Sequence, residues 1–150
     1  ENACIDESRI FSAGFSAGAM FSNTLGRTRQ DVLRAVAVFE VGMGADYLPF
    51  PIGWFCSQGM NDPVCPPETG RITRDIALSH NGPGGSDVSW EPCVEWPGYG
   101  AHVCYEYQYT DPNYPVTWCT NGGEHDWQYK DPGEEIKWVP IELWYFLNKF

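Results

Sequence analysis

Basic residues are scarce in this 150-residue chain: 9 Lys and Arg stand against 20 Asp and Glu, a formal net charge of −11. There is no basic stripe and no Lys/Arg run. A surface of this sign repels a phosphate backbone and an anionic bilayer, so nucleic acid and membrane are set aside as partners. Long apolar runs are missing too. None approaches the roughly 18 residues of a membrane span. No C-x-x-C pair occurs among Cys4, Cys56, Cys65, Cys93, Cys104 and Cys119, which argues against a zinc ribbon or a thioredoxin-like site. There is no internal repeat of structural length and no low-complexity tract. No leader is visible: the chain opens at Glu1 with a polar stretch, so any leader has been removed or lies upstream.

What is present fits one globular domain over residues 1–150. The hydrophobic fraction is 43% and the aromatic fraction 15%, which suits a packed core rather than a disordered chain. Six scattered cysteines fit disulfides in an oxidising compartment, hence a secreted, extracellular protein, with the connectivity open. Strand-like and helix-like segments alternate. Ser8 to Ser12 reads as a short buried strand centred on Ile10 and Phe11. Ala17 to about Leu25 reads as a helix of small residues ended by Gly26. Val32 to Val41 suits a central parallel strand, and Ile52 to Ser57 another. Glu68 to Leu78 reads as a helix with Ile72, Ile76 and Leu78 on its apolar side. Val88 to Tyr109 alternates aromatic and polar residues, an excursion with one or two strands, after a Gly/Pro loop from Asn81 to Ser86. Pro115 to Thr120 is a further strand. Ile136 to Phe150 reads as a terminal helix burying Ile141, Trp144, Tyr145 and Leu147, with Pro140 near its start. This order implies an α/β class with a mostly parallel sheet flanked by helices.

Gly14-Phe15-Ser16-Ala17-Gly18 is a G-x-S-x-G pattern. The spacing has a mechanical reason. A nucleophilic serine sits on a strained strand-to-helix turn, and small residues on either side allow the turn and the close approach of helix to strand. The N–H of the next residue, Ala17, then faces the developing oxyanion. The alternative is a Gly/Ser loop or a helix-packing motif, and the strand before and helix after favour the elbow. Two further residues follow in the order such a site uses. Asp62 lies in Gln58-Gly-Met-Asn-Asp-Pro-Val64, directly after an apolar strand, where an acid can orient an imidazole. His125 lies in Gly122-Gly-Glu-His-Asp-Trp127, after the strand ending near Thr120, where a neutral imidazole can serve as base. His80, at a helix end, and His102, in the aromatic excursion, are the other candidates, and neither follows a strand with glycines. Separations of 46 and 63 residues leave room for strand–helix units between the three, so they can meet at the C-terminal edge of one sheet.

The segments Arg9 to Met20, Gln58 to Val64 and Tyr114 to His125 resemble secreted feruloyl esterases, the polyhydroxybutyrate-depolymerase-like carbohydrate esterases of family one. Gly70-Arg71, Arg74-Asp75 and the closing Trp144 to Phe150 resemble them as well. The likeness extends over nearly the whole chain apart from about Asn81 to Ala101. It implies an α/β-hydrolase fold, Ser16 as nucleophile, Asp62 as acid, His125 as base and the Ala17 N–H in the oxyanion hole. Phe15 and Trp127 are the expected substrate contacts, and neither metal nor organic cofactor is needed. The implied substrates are hydroxycinnamoyl esters of plant cell-wall polysaccharide or small aromatic esters; acetyl-xylan and hydroxyalkanoate esters stay open. Two features depart from that family. Gln58 stands where a His usually precedes the acid loop, which should affect the loop more than the triad. The family's N-terminal strands, with the loop giving the second oxyanion N–H, have no counterpart here. A fragment, a second polypeptide that completes the fold, or a reduced domain all fit. The rival of another class is a non-catalytic carbohydrate-binding domain, with Trp90, Trp96, Tyr99, Tyr105, Tyr107 and Tyr109 as a stacking face.

Overall fold

The computed structural model describes residues 4–42, 51–82 and 92–150. Its elements run β1 (Phe11–Phe15), α1 (Ala17–Thr28), β2 (Ala35–Phe39), β3 (Gly53–Gly59), α2 (Pro67–Asn81), β4 (Val103–Glu106), β5 (Val116–Asn121) and α3 (Val139–Leu147). The five strands form one sheet in the order β1-β2-β3-β5-β4. The first three pairings are parallel, and β4 joins the far edge antiparallel to β5. This is the expected α/β class with a mostly parallel sheet.

Both faces of the sheet are covered, which is why the central strands read as unbroken apolar runs. All five residues of β2 are buried. Their period-two alternation divides them between two cores. Val36 and Val38 pack with Ala19 of α1, with Ala77 and Leu78 of α2, and with Trp54 and Trp118. The two indoles stack at 6.4 Å. Ala35, Ala37 and Phe39 face the other way, to Phe55, Trp138, Val139 and Phe146 at α3. Truncating a buried aromatic in either layer costs about 3–5 kcal/mol.

Several boundaries and faces differ from the sequence reading. β1 begins three residues later than Ser8 and runs through Ala13 and Gly14 to Phe15, so the strand ends directly on the elbow. It is half-buried rather than buried, being an edge strand with no outer neighbour among the described residues. α1 does not stop at Gly26. It buries Ala19, Ser22, Asn23 and Gly26, one helical face of small residues. Gly26 is there because a Cβ would stand 2.9 Å from Val36. In α2 the buried face is Gly70, Thr73, Ala77, Leu78 and Asn81, and Ile72 is exposed. α3 starts at Val139 rather than Ile136 and ends at Leu147 rather than Phe150; Pro140 lies in its first turn, as expected, but the helix buries Val139 and Phe146 while Ile141, Trp144 and Tyr145 face outward. A helix apolar on nearly every side gives periodicity no way to select the buried face.

The cysteines also depart from expectation. Only Cys104 and Cys119 are joined. They are cross-strand partners in the β4–β5 register, with Cα atoms 4.0 Å apart. Cys4, Cys56, Cys65 and Cys93 are free thiols, and Cys56 fills the core between the sheet and its helices as a small apolar side chain.

Within the excursion the one strand of the described part is β4; Trp90 lies outside the described residues. Glu95 pins the segment down. It accepts from Arg71 Nη2 at 2.8 Å, Arg74 Nη1 at 3.3 Å and Trp118 Nε1 at 3.1 Å. The described aromatics here do not share one exposed face. Tyr107 is buried, Tyr105 packs edge-on against it, and Trp96 lies over Gly122.

Candidate active site

β1, β2, β3 and β5 run parallel, so their C-terminal ends share one edge of the sheet, and Ser16, Glu40, Asp62 and His125 follow those ends in turn. Ser16 caps α1 with φ of 54°, a left-handed conformation that a side chain rarely adopts. Its N–H donates to Phe39 O at 2.9 Å, fixing the turn to the neighbouring strand. Gly14 makes the turn possible: a Cβ there would lie 2.1 Å from Gly18 O. Gly18 itself faces open space, so only one of the two motif glycines is required by packing. Ala17 is the first residue of α1, and its N–H belongs to the first turn, which has no intrahelical acceptor.

The acid and base loops are sewn to each other. Met60 N–H donates to Asn121 O at 2.8 Å, Asn61 N–H to Gly123 O at 3.1 Å, and Asn61 Nδ2 to Gly122 O at 2.9 Å. Gly59 allows the approach, since a Cβ would stand 2.5 Å from both Gly123 O and Glu124 O. Asp62 is 3% exposed. Its Oδ1 accepts from Val64 N–H at 2.8 Å and Cys65 N–H at 2.9 Å. Its Oδ2 stands 2.7 Å from His125 Nδ1. His125 Nε2 in turn stands 2.9 Å from Ser16 Oγ. A carboxylate only accepts, so Nδ1 carries the ring proton and Nε2 is left to accept from the serine hydroxyl.

The remaining predicted residues fall around this chain of contacts. The Phe15 ring lies 4.7 Å from the His125 ring, and Trp127 stacks on Phe39 at 6.2 Å. His102 is engaged elsewhere: Nδ1 pairs with Asp131 at 2.6 Å and the ring stacks on Trp138 at 4.0 Å. Ser12, in the neighbouring Ser-Ala-Gly copy, bonds Ser22 at 2.9 Å.

Two residues at the site escaped the sequence reading. Cys65 lies beside Asp62 and His125, with side-chain atoms of the three within 4.8 Å of one another, and its thiol is pushed up by burial and by the Asp62 and Glu40 carboxyls. Glu40 ends β2 with φ of 49° and is fully buried. Burial, opposed by the hydrogen bond from Gly59 and reinforced by Asp62, raises its carboxyl to about 8. The available signal was an acid inside the apolar run Val38-Phe-Glu-Val41. Gln58, the departure noted above, is buried too, donating from Nε2 to Glu40 Oε2 at 3.2 Å and Cys65 O at 2.8 Å. It ties the end of β2 to the loop that carries Asp62.

The chain is similar to known proteins in sequence and in structure. No family model matches the chain. It is 31% identical to feruloyl esterase D of Neurospora crassa over 155 residues, covering 100% of this chain and 51% of that protein. It is 28% identical to feruloyl esterase C of Emericella nidulans over 148 residues, covering 97% and 52%. Among solved structures, a carboxylesterase of Bacillus cereus superposes with a TM-score of 0.60 at 13% sequence identity, covering 97% of this chain and 52% of that one. The chain spans about half the length of the curated relatives it matches.

Proposed function

We propose, for a chain homologous to feruloyl esterases along its whole length and built on the α/β-hydrolase fold, that it is the catalytic part of a secreted serine esterase. The supporting observation is the unbroken contact Ser16–His125–Asp62 at 2.9 and 2.7 Å. In this reading Ser16 Oγ attacks the ester carbonyl while His125 Nε2 takes its proton. Asp62 holds Nδ1–H and stabilises the imidazolium. The Ala17 N–H faces the oxyanion, a contact of the kind whose loss costs about 10²–10³ in turnover. His125 returns the proton to the leaving alcohol, and water then releases the acyl group by the same steps.

The substrate class is hydroxycinnamoyl esters of plant cell-wall polysaccharide, by relation to the feruloyl esterases. Phe15 beside His125 and Trp127 beside Phe39 supply aromatic surface next to the site for such an acyl group. The Cys104–Cys119 bridge suits an oxidising compartment, and no helix among the described residues is long and apolar enough to cross a membrane. The test compares hydrolysis of methyl ferulate with that of an alkyl ester of similar size. Higher kcat/KM on the ferulate is expected; equal or lower values would shift the substrate to acetyl or hydroxyalkanoate esters.

A further inference from the structure

Glu40 is buried at the edge of the sheet that carries the triad, yet the mechanism above does not use it. Its surroundings are specific. Oε2 accepts from Gly59 N–H at 2.6 Å and from Gln58 Nε2 at 3.2 Å. Oε1 is buried with no donor on it. The Asp62 carboxyl lies close enough to oppose a negative charge on Glu40. Two carboxylates so placed repel at low dielectric, and the buried Oε1 is left without a donor. One proton resolves both problems if it sits on the Glu40 oxygen that lacks a donor. We propose that Glu40 is a positioning residue for the triad, a carboxylic acid that donates its O–H to the Asp62 carboxyl and so holds the acid loop in the geometry His125 requires. The proposal rests on the triad reading given above.

The arrangement closes on itself. Gln58 ties Glu40 to the Cys65 carbonyl, and the Cys65 N–H returns to Asp62 Oδ1. The groups that face Glu40 come from each neighbouring loop or strand: Asp62 and Cys65 on the acid loop, Asp126 beside the base, and Cys56 on β3. Both carboxyls among them oppose a negative charge on Glu40. Removing its proton would set two buried charges against each other under His125, and the acid loop would shift. Burial holds that proton on until about pH 8, inside the range in which an esterase is assayed.

The test measures the rate at which a fluorophosphonate modifies Ser16, together with ester hydrolysis, from pH 6 to 10 in the unaltered protein, Glu40→Gln and Glu40→Ala. The unaltered protein is expected to lose rate above about pH 8, by roughly tenfold per pH unit. Glu40→Gln can both accept from Gly59 and donate to Asp62. It should keep the plateau rate within about threefold and lose the alkaline limb. Glu40→Ala, where circular dichroism shows it folded, should react at least about tenfold more slowly at every pH; the Gln variant carries the test if the Ala variant does not fold. An alkaline limb unchanged in Glu40→Gln, a folded but unreactive Gln variant, or a folded Ala variant equal to the unaltered protein would each overturn the assignment. Failure of the unaltered protein to be labelled at Ser16 at any pH would count against the triad itself, and the role of Glu40 would fall with it.

Discussion

Asp62 and Ser16 are linked through one imidazole, but the ground beneath them differs. On the acid side Asp62, Glu40 and Gln58 are buried, and backbone bonds sew their loop to the base loop. On the nucleophile side β1 is a half-buried edge, Ala17 and Gly18 are exposed, and Phe21 of α1 is 63% exposed. There the geometry is held by backbone conformation, a positive φ at Ser16 enforced by one tight glycine. Asp62 and His125 are thus held by residues within this chain. On the Ser16 side, β1 has no outer neighbour among the described residues. Changes on the acid side should therefore show in stability and pH dependence, and changes on the nucleophile side in turnover.

The largest effect expected on that contrast is at the reacting atoms. Ser16→Ala and His125→Ala should each lower kcat by about 10⁴-fold or more with little change in melting temperature. His102→Ala should keep the activity, because His102 is paired with Asp131 away from the site. Loss in His102→Ala with His125→Ala unaffected would move the base.

The glycines sharpen the comparison further. Gly14→Ala drives a methyl into the backbone of Gly18 and should cost at least about 3 kcal/mol or prevent folding. On the acid side, Glu40→Gln should raise stability. A carboxyl raised from 4.5 to about 8 keeps a proton in the folded state that the unfolded chain has released. Folding therefore becomes harder as pH rises through that window. Glutamine lacks this penalty, so its advantage should be near zero below pH 4.5 and approach an upper limit of roughly 3 kcal/mol at pH 7. Urea unfolding at pH 4 and pH 7 reads the difference, and an advantage that does not grow with pH would contradict it. Gly18→Ala, facing open space, should change stability by less than about 1 kcal/mol.

The Ser16–His125–Asp62 contact was legible because the chemistry proposed for it demands a particular spacing and order. Ser16 needed an elbow, and Asp62 and His125 needed loops after strands, so their positions followed from pattern. The central strands were legible as well, since burial on two faces leaves apolar runs such as Ala35 to Phe39. Other features depend on which neighbour packs where. Nothing in Trp144 and Tyr145 marks them as outward-facing, because α3 is apolar nearly all round. Cys104 and Cys119 pair because β4 lies in register with β5, and that register comes from tertiary contact. Glu40 was hidden for a similar reason: one acid in an apolar run signals a special position, but only the fold brings it against Asp62.

The most direct measurement treats the purified protein with a fluorophosphonate and maps the adduct by peptide mass spectrometry. A single adduct is expected on Ser16, absent in Ser16→Ala and formed far more slowly in His125→Ala. No adduct on Ser16, or equal labelling in the unaltered protein and His125→Ala, would contradict a serine activated by His125 and Asp62.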